Sequence, residues 1–217
     1  MSSVVDKIDS MQKASAIFIA IIAWFAVIAQ FVLMMQNRST SIPETIVRFF
    51  SFFTILTNIS VGLFFTGRGL GTAVTYKPGS LTAITVYIFV VGIVYQVLLR
   101  HLWQPSGLQF VVDELLHSAI PLLTLLFWYF CENKRTLRYS QVKGWLIYPM
   151  AYLIFILVRG HLSGFYPYPF VDVIQIGLSK TLLNIGLLFI SFIGIGCLFI
   201  TIGKEVAAKK SYRHRML

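Results

Sequence analysis

Long apolar stretches alternate with short polar or glycine- and proline-rich breaks along this chain, and the pattern repeats six times. A membrane-spanning helix takes about 20 mainly apolar residues. The pattern predicts six, from about Ala14 to Gln36, Ile46 to Thr66, Ser80 to His101, Leu108 to Cys131, Lys143 to Arg159 and Gly177 to Ile202. The first ends in Asn37-Arg38-Ser39-Thr40-Ser41-Ile42-Pro43, and the second at the glycines 67, 69 and 71. Lys77-Pro78-Gly79 opens the third, and Gln104-Pro105-Ser106-Gly107 separates it from the fourth. Pro121 cannot donate a hydrogen bond to the His117 carbonyl and predicts a kink within the fourth span. The expected fold is an all-α polytopic membrane protein, a single membrane domain over residues 1–217 with no room for a separate soluble domain.

Composition supports the pattern. Of the 217 residues, 57% are hydrophobic and 12% charged, and the mean hydropathy is +0.79, values that leave too little polar surface for a soluble domain of this size. The net charge of +10 is unevenly placed. Lys7, Lys13, Arg68, Lys77, Lys134, Arg135, Arg138, Lys143, Lys204, Lys209, Lys210, Arg213 and Arg215, 13 of the 18 basic residues, fall on one side if the termini and the second and fourth loops share it. Positive flanks resist translocation, so that side is expected to be cytoplasmic. The charge is then explained by topology and contact with anionic membrane lipids, and no nucleic-acid partner is implied. The first span is too long for a signal-peptide core and is expected to remain as an anchor. Cys131 and Cys197 fall near cytoplasmic helix ends, so no disulfide is expected. Asn37-Arg38-Ser39 fits a glycosylation pattern but lies too close to the membrane for modification to be expected.

Polar side chains inside the spans carry the remaining information, because each costs free energy unless it finds a partner or a function. Ser51, Thr54 and Asn58 share one face of the second span at i, i+3 and i+7, with Thr57 beside them. Asp113 and His117 share a face of the fourth. At a rise of about 1.5 Å per residue, Thr54 and His117 come to similar depth from the outer side. Gly92, Gln96 and Arg100 form an i, i+4, i+8 stripe on the third span. Tyr148, Tyr152 and Arg159, with His161 beyond, mark the fifth, and Lys180, Thr181 and Asn184 the sixth. Five helices are thus expected to aim hydrogen-bonding groups at one outer-leaflet cavity. The segment Phe165-Tyr166-Pro167-Tyr168-Pro169-Phe170, followed by Asp172, is stiff and aromatic and suits a lid, with Tyr166 and Tyr168 at its centre.

Each group also has a plain structural use. Thr54 can bond its own i−4 carbonyl, His117 can bridge two helices, and Asp113, Glu114, Arg100 and Arg159 can snorkel from helix ends. No Gly-x-Ser-x-Gly elbow, His-Glu-x-x-His or Cys-x-x-Cys pattern occurs, and neither a metal nor another cofactor is expected. The Gly67–Gly71 loop lies outside the strand-to-helix setting of a nucleotide site.

Four blocks carry a resemblance: Arg48-Phe-Phe-Ser-Phe-Phe-Thr54-Ile-Leu-Thr57-Asn58, Asp113-Glu-Leu-Leu-His117-Ser-Ala-Ile-Pro121, Trp145-Leu-Ile-Tyr148-Pro149-Met-Ala-Tyr152 and Tyr166-Pro-Tyr-Pro-Phe-Val-Asp172. In them the chain resembles the bacterial branch of the androgen-induced-protein family. Its animal members, the androgen-dependent TFPI-regulating protein among them, are six-helix membrane hydrolases that cleave fatty acid esters of hydroxy fatty acids with a Thr nucleophile and a His partner. The resemblance implies that Thr54 is the nucleophile and His117 its base, that the substrate is a lipid ester, and that the chain resides in a bacterial plasma membrane. Asn58, Asn184, Arg100 and Arg159 are open candidates for stabilising the oxyanion, with Gln96 a further polar candidate, and Asp113 or Asp172 for orienting His117. Two other readings stay open: a non-enzymatic lipid- or amphiphile-binding or transport protein using the same cavity, and a proton-coupled transporter using Asp113, Glu114 and His117. The oligomeric state is not legible.

The basic-residue asymmetry predicts cytoplasmic N- and C-termini. Reporter fusions at each end check it, and an external signal from either would reverse the topology.

Overall fold

The computed structural model describes the backbone of residues 2–102 and 104–215, and the side chains of residues 7, 9–102 and 104–209. Lys210, Arg213 and Arg215, which enter the charge asymmetry, lie outside the described side chains. Every regular element among the described residues is helical. Helix α1 spans Ser2–Gln36, α2 Ile42–Phe49, α3 Phe53–Gly69, α4 Ser80–Val94, α5 Gly107–Glu114 and α6 Ile120–Cys131. They are followed by α7 (Gln141–Trp145), α8 (Ile147–Ser163), α9 (Val173–Ile176) and α10 (Leu178–Arg215). Five helical stretches are long and apolar enough to cross a membrane: Asp9–Gln36, Ser80–Leu102, Gly107–Cys131, Gln141–Ser163 and Leu178–Lys209. The pair α2 and α3 makes a sixth if counted as one span broken by a 68° bend. This is the architecture of a multi-pass membrane protein.

The bend corrects one expectation. The second apolar stretch is not a continuous helix, so Ser51 and Thr54 do not share a face as i and i+3 of one helix. Buried Ser51 sits in the break and donates to the Val47 carbonyl at 2.6 Å, a back-bond that competes with helix continuation. Phe52 takes an extended conformation (φ −81°, ψ 125°) and α3 starts afresh at Phe53. Thr54 therefore occupies the first turn of a helix, and not its middle.

The described residues gather into two compact units, 1–133 and 134–217. In the first, α1 packs along α3 through a stripe of small residues. Ala16, Ala20, Ala23 and Ala26 are all buried, while Ile21 and Phe25 on the opposite face are exposed, as a lipid-facing surface requires. Small size lets the backbones approach, which is what drives helix association where lipid is as apolar as the side chains. Gly62 of α3 lies against the Trp24 ring, and the Trp24 Nε1–H donates to Thr66 Oγ1 at 3.1 Å.

A polar knot joins α4 to the end of α6. Glu132 Oε2 accepts from the Thr82 backbone N–H at 3.0 Å and from its hydroxyl at 2.8 Å, and the Trp128 indole donates to Thr82 Oγ1 at 2.9 Å. The carboxylate thereby satisfies a first-turn N–H of α4 and meets the positive end of its dipole. In the second unit, Leu137, Val142 and Ile200 form a small core with Trp145 and Cys197 against it. Neither Cys131 nor Cys197 is in a disulfide.

Glu132→Ala removes the acceptor for two donors and should cost about 1–3 kcal/mol. The loss is read as a lower thermal midpoint of tryptophan fluorescence in detergent. Glu132→Gln keeps one acceptor and should lose less.

Candidate functional site

The sites of interest in the first unit begin with Pro121. Between α5 and α6 the chain forms a π-turn over Leu115–Ala119, in which the Ile120 N–H reaches back five residues to the Leu115 carbonyl. In that register the Leu116 carbonyl would be served by the N–H of residue 121, which proline lacks. Asn58 of α3 supplies the donor instead: its Nδ2 donates to the Leu116 carbonyl at 3.3 Å and to the Thr54 carbonyl at 2.9 Å. One buried amide therefore ties the first turn of α3 to the turn that carries His117. The His117 carbonyl, which also loses its α-helical partner to Pro121, faces Gly92 of α4, where a Cβ atom would lie 3.2 Å from it. The absence of a side chain at Gly92 permits this approach.

Asn58 is fully buried, and both its N–H groups are engaged on carbonyls. What it retains is Oδ1, a buried acceptor with no hydrogen-bond partner among the described residues. It offers an incoming group an acceptor, and no spare donor.

His117 is held through Nδ1, which lies 3.0 Å from the Asp113 main-chain oxygen and 3.3 Å from Asp113 Oδ1. Asp113 is buried, and its second carboxylate oxygen accepts from the Tyr95 hydroxyl. The Tyr95 ring stacks on the imidazole with centroids 4.0 Å apart and planes 15° from parallel. Tyr95 opens a second π-turn, Tyr95–Leu99, at the end of α4. Two π-turns on adjacent helices thus bring their side chains together, a feature that recurs at functional sites.

Next to this triad runs a closed ring of polar contacts. Arg100 donates to Gln96 Oε1 at 2.7 Å and pairs with Glu114. Gln96 donates to Ser118 Oγ at 2.9 Å, and Ser118 donates to Glu114 Oε2 at 2.7 Å. Of the sequence-derived candidates, the structure therefore joins Asn58, Gln96, Arg100, Asp113 and His117, with the backbone of Thr54. A groove of about 360 Å³ opens beside them, lined by Phe89, Gly92, Ile93, Val97, Pro121, Leu122 and Leu125 and by the polar side chains Gln96, His117 and Ser118. Ile93, Val97 and Leu122 are exposed at its edge. Thr54 is buried and does not line this groove.

The remaining candidates belong to the second unit and lie in or against the 164–172 loop. Buried Arg159 donates to the Phe165 carbonyl at 3.1 Å and to Ser163 Oγ at 3.3 Å, with its guanidinium 4.6 Å from the Phe165 ring centre. Asn184 donates to the Phe170 carbonyl at 2.8 Å. Asp172 caps α9, accepting from the Ile174 and Gln175 N–H groups at 2.9 and 3.1 Å. Tyr166 packs on Gly160, where any side chain would overlap its ring, and Tyr168 stacks on Phe170 at 5.2 Å. The loop is a shaped element, braced from both flanking helices.

The chain matches no family model, no curated protein and no solved structure. Tyr95, Glu114 and Ser118 take larger parts than the polar pattern assigned them. Tyr95 was indistinguishable from the interfacial aromatics, although its place three residues after Gly92 put it beside the Gly92, Gln96 and Arg100 stripe.

Asn58→Ala leaves the Leu116 carbonyl without a donor and should cost about 1–3 kcal/mol. Pro121→Ala restores a backbone N–H, so the same Asn58 substitution should cost less in that background. A double-mutant cycle on thermal midpoints measures the coupling.

Proposed function

We propose that this chain is an intramembrane hydrolase of lipid esters, of the class of fatty acid esters of hydroxy fatty acids, with six spans and cytoplasmic termini in a bacterial plasma membrane. The observation that carries the reading is the state of His117: Nδ1 is fixed on Asp113, Nε2 has no hydrogen-bond partner among the described residues, and the side chain lines an apolar groove. A neutral imidazole whose Nδ1–H is donated to oxygen carries its lone pair on Nε2, and it suits proton abstraction near neutral pH. The Asn58 bridge supports Thr54 as its partner, since it joins the backbones of the two segments.

In the proposed reaction, His117 Nε2 takes the Thr54 Oγ proton as Oγ bonds to the ester carbonyl carbon. The tetrahedral oxyanion collapses, the ester C–O bond breaks, and the alcohol leaves with the proton from the imidazolium. Water then attacks the acyl-threonine, losing its proton to His117; the acyl C–Oγ bond breaks, Thr54 Oγ takes that proton back from the imidazolium, and the acid leaves. Thr54 stands in the first turn of α3, where the helix dipole favours developing negative charge. The apolar lining suits an acyl chain, so the scissile bond reaches His117 while the chain remains in hydrocarbon.

A second reading, lipid binding without turnover, is favoured by the position of Thr54 outside the groove lining. Hydrolysis of a lipid-ester panel by detergent-purified variants separates the two. Thr54→Ala and His117→Ala should each abolish turnover while lipid binding persists, and Thr54→Ser should retain part of it, because the pair acts as a unit. Full activity in folded Thr54→Ala would end the nucleophile assignment, and no turnover by the unaltered protein, with binding intact, would favour the second reading.

A further inference from the structure

We infer that Tyr95 is a positioning residue for His117: through Asp113 and through ring stacking it holds the imidazole in the tautomer that leaves Nε2 as the base. The tautomer follows from geometry alone, and its consequence for hydrolysis rests on the proposed function.

Asp113 constrains the imidazole in its own plane, because both its main-chain oxygen and Oδ1 face Nδ1. That contact alone leaves the ring free to tilt. Tyr95 closes this freedom by lying parallel to the imidazole at 4.0 Å. Its hydroxyl does a second thing. Asp113 is buried, and a carboxylate oxygen without a donor there would be costly. The Tyr95 hydroxyl serves Oδ2, which leaves Oδ1 and the main-chain oxygen directed at Nδ1. Phenylalanine would keep the stack and lose the donor, and an aliphatic side chain would lose both, so the two functions can be separated. Tyr95 is itself buried and is packed by the same helices that carry its partners, so its ring has little room to leave the stack. Arg100, whose guanidinium lies 5.9 Å from the Tyr95 ring centre, is paired with Glu114 and does not compete for Asp113.

The test uses full-length protein in detergent, labelled with ¹⁵N at histidine. The chain has four histidines. His117→Gln identifies the resonance. In the unaltered protein the Nδ1-protonated tautomer should exceed the other about tenfold, a net preference of about 1.4 kcal/mol that remains after the contacts to Asp113 have overcome the opposite preference of free histidine. Tyr95→Phe should move the ratio towards the Nε2-protonated form that free histidine prefers, and Tyr95→Leu should move it further. On the hydrolysis reading, kcat should fall in the same order with KM held. Should Tyr95→Leu fail to fold, Tyr95→Phe, which preserves packing, carries the comparison. An Nε2-protonated His117 in the unaltered protein, or an unchanged ratio in folded Tyr95→Phe, would overturn the inference. The expected tautomer shifts in a protein without ester hydrolysis would support the positioning and sink only the proposed reaction.

Discussion

Proline has no N–H to donate, and at position 121 that lack organises the polar part of the first unit. In hydrocarbon an unserved carbonyl costs several kcal/mol, so a donor must come from elsewhere. The π-turn over Leu115–Ala119 widens the helix, Asn58 reaches across from α3 to the Leu116 carbonyl, and Gly92 lets α4 close on the His117 carbonyl. Three helices are brought together by one missing hydrogen-bond donor. Their meeting point is where His117 sits.

The imidazole environment follows from this packing. Because α4 approaches closely at Gly92, Tyr95 one turn later stacks on His117 and reaches Asp113. Polar groups in a membrane interior persist when they satisfy one another, and the Gln96–Arg100–Glu114–Ser118 ring does so around the edge of the groove. Arg100 and Glu114 meet as opposite charges, Arg100 also holding Gln96 and Glu114 also holding Ser118, while the second nitrogen of His117 has no partner among the described residues. Apart from Gln96 and Ser118 the rest of the groove beside it is apolar, so a lipid chain and an imidazole nitrogen are offered together.

The second unit uses polar residues differently. Arg159 and Asn184 turn inward on the 164–172 segment and hold backbone carbonyls there, and Asp172 at its end caps α9. A loop with two prolines and stacked aromatics, braced at three points, loses little further conformational entropy on taking up a ligand or an interface position.

The sequence by itself determined the class of the protein, because about 20 consecutive apolar residues have one economical use and local composition suffices to detect it. It also singled out His117, Asp113, Asn58 and Arg100 as costly in hydrocarbon, and Pro121 as a disturbance to its helix. What it could not supply was direction. Whether Ser51 and Thr54 share a face depends on helix continuity, and that was decided by a back-bond and a 68° bend. Whether Asn58 donates to a ligand or to a carbonyl depends on a partner 58 residues away. Tyr95 looked like any interfacial aromatic until its neighbour across the helix pair was known. Only the tertiary structure decides such roles, because a side chain's hydrogen-bonding capacity is local while the group that consumes it is brought by the packing of another helix.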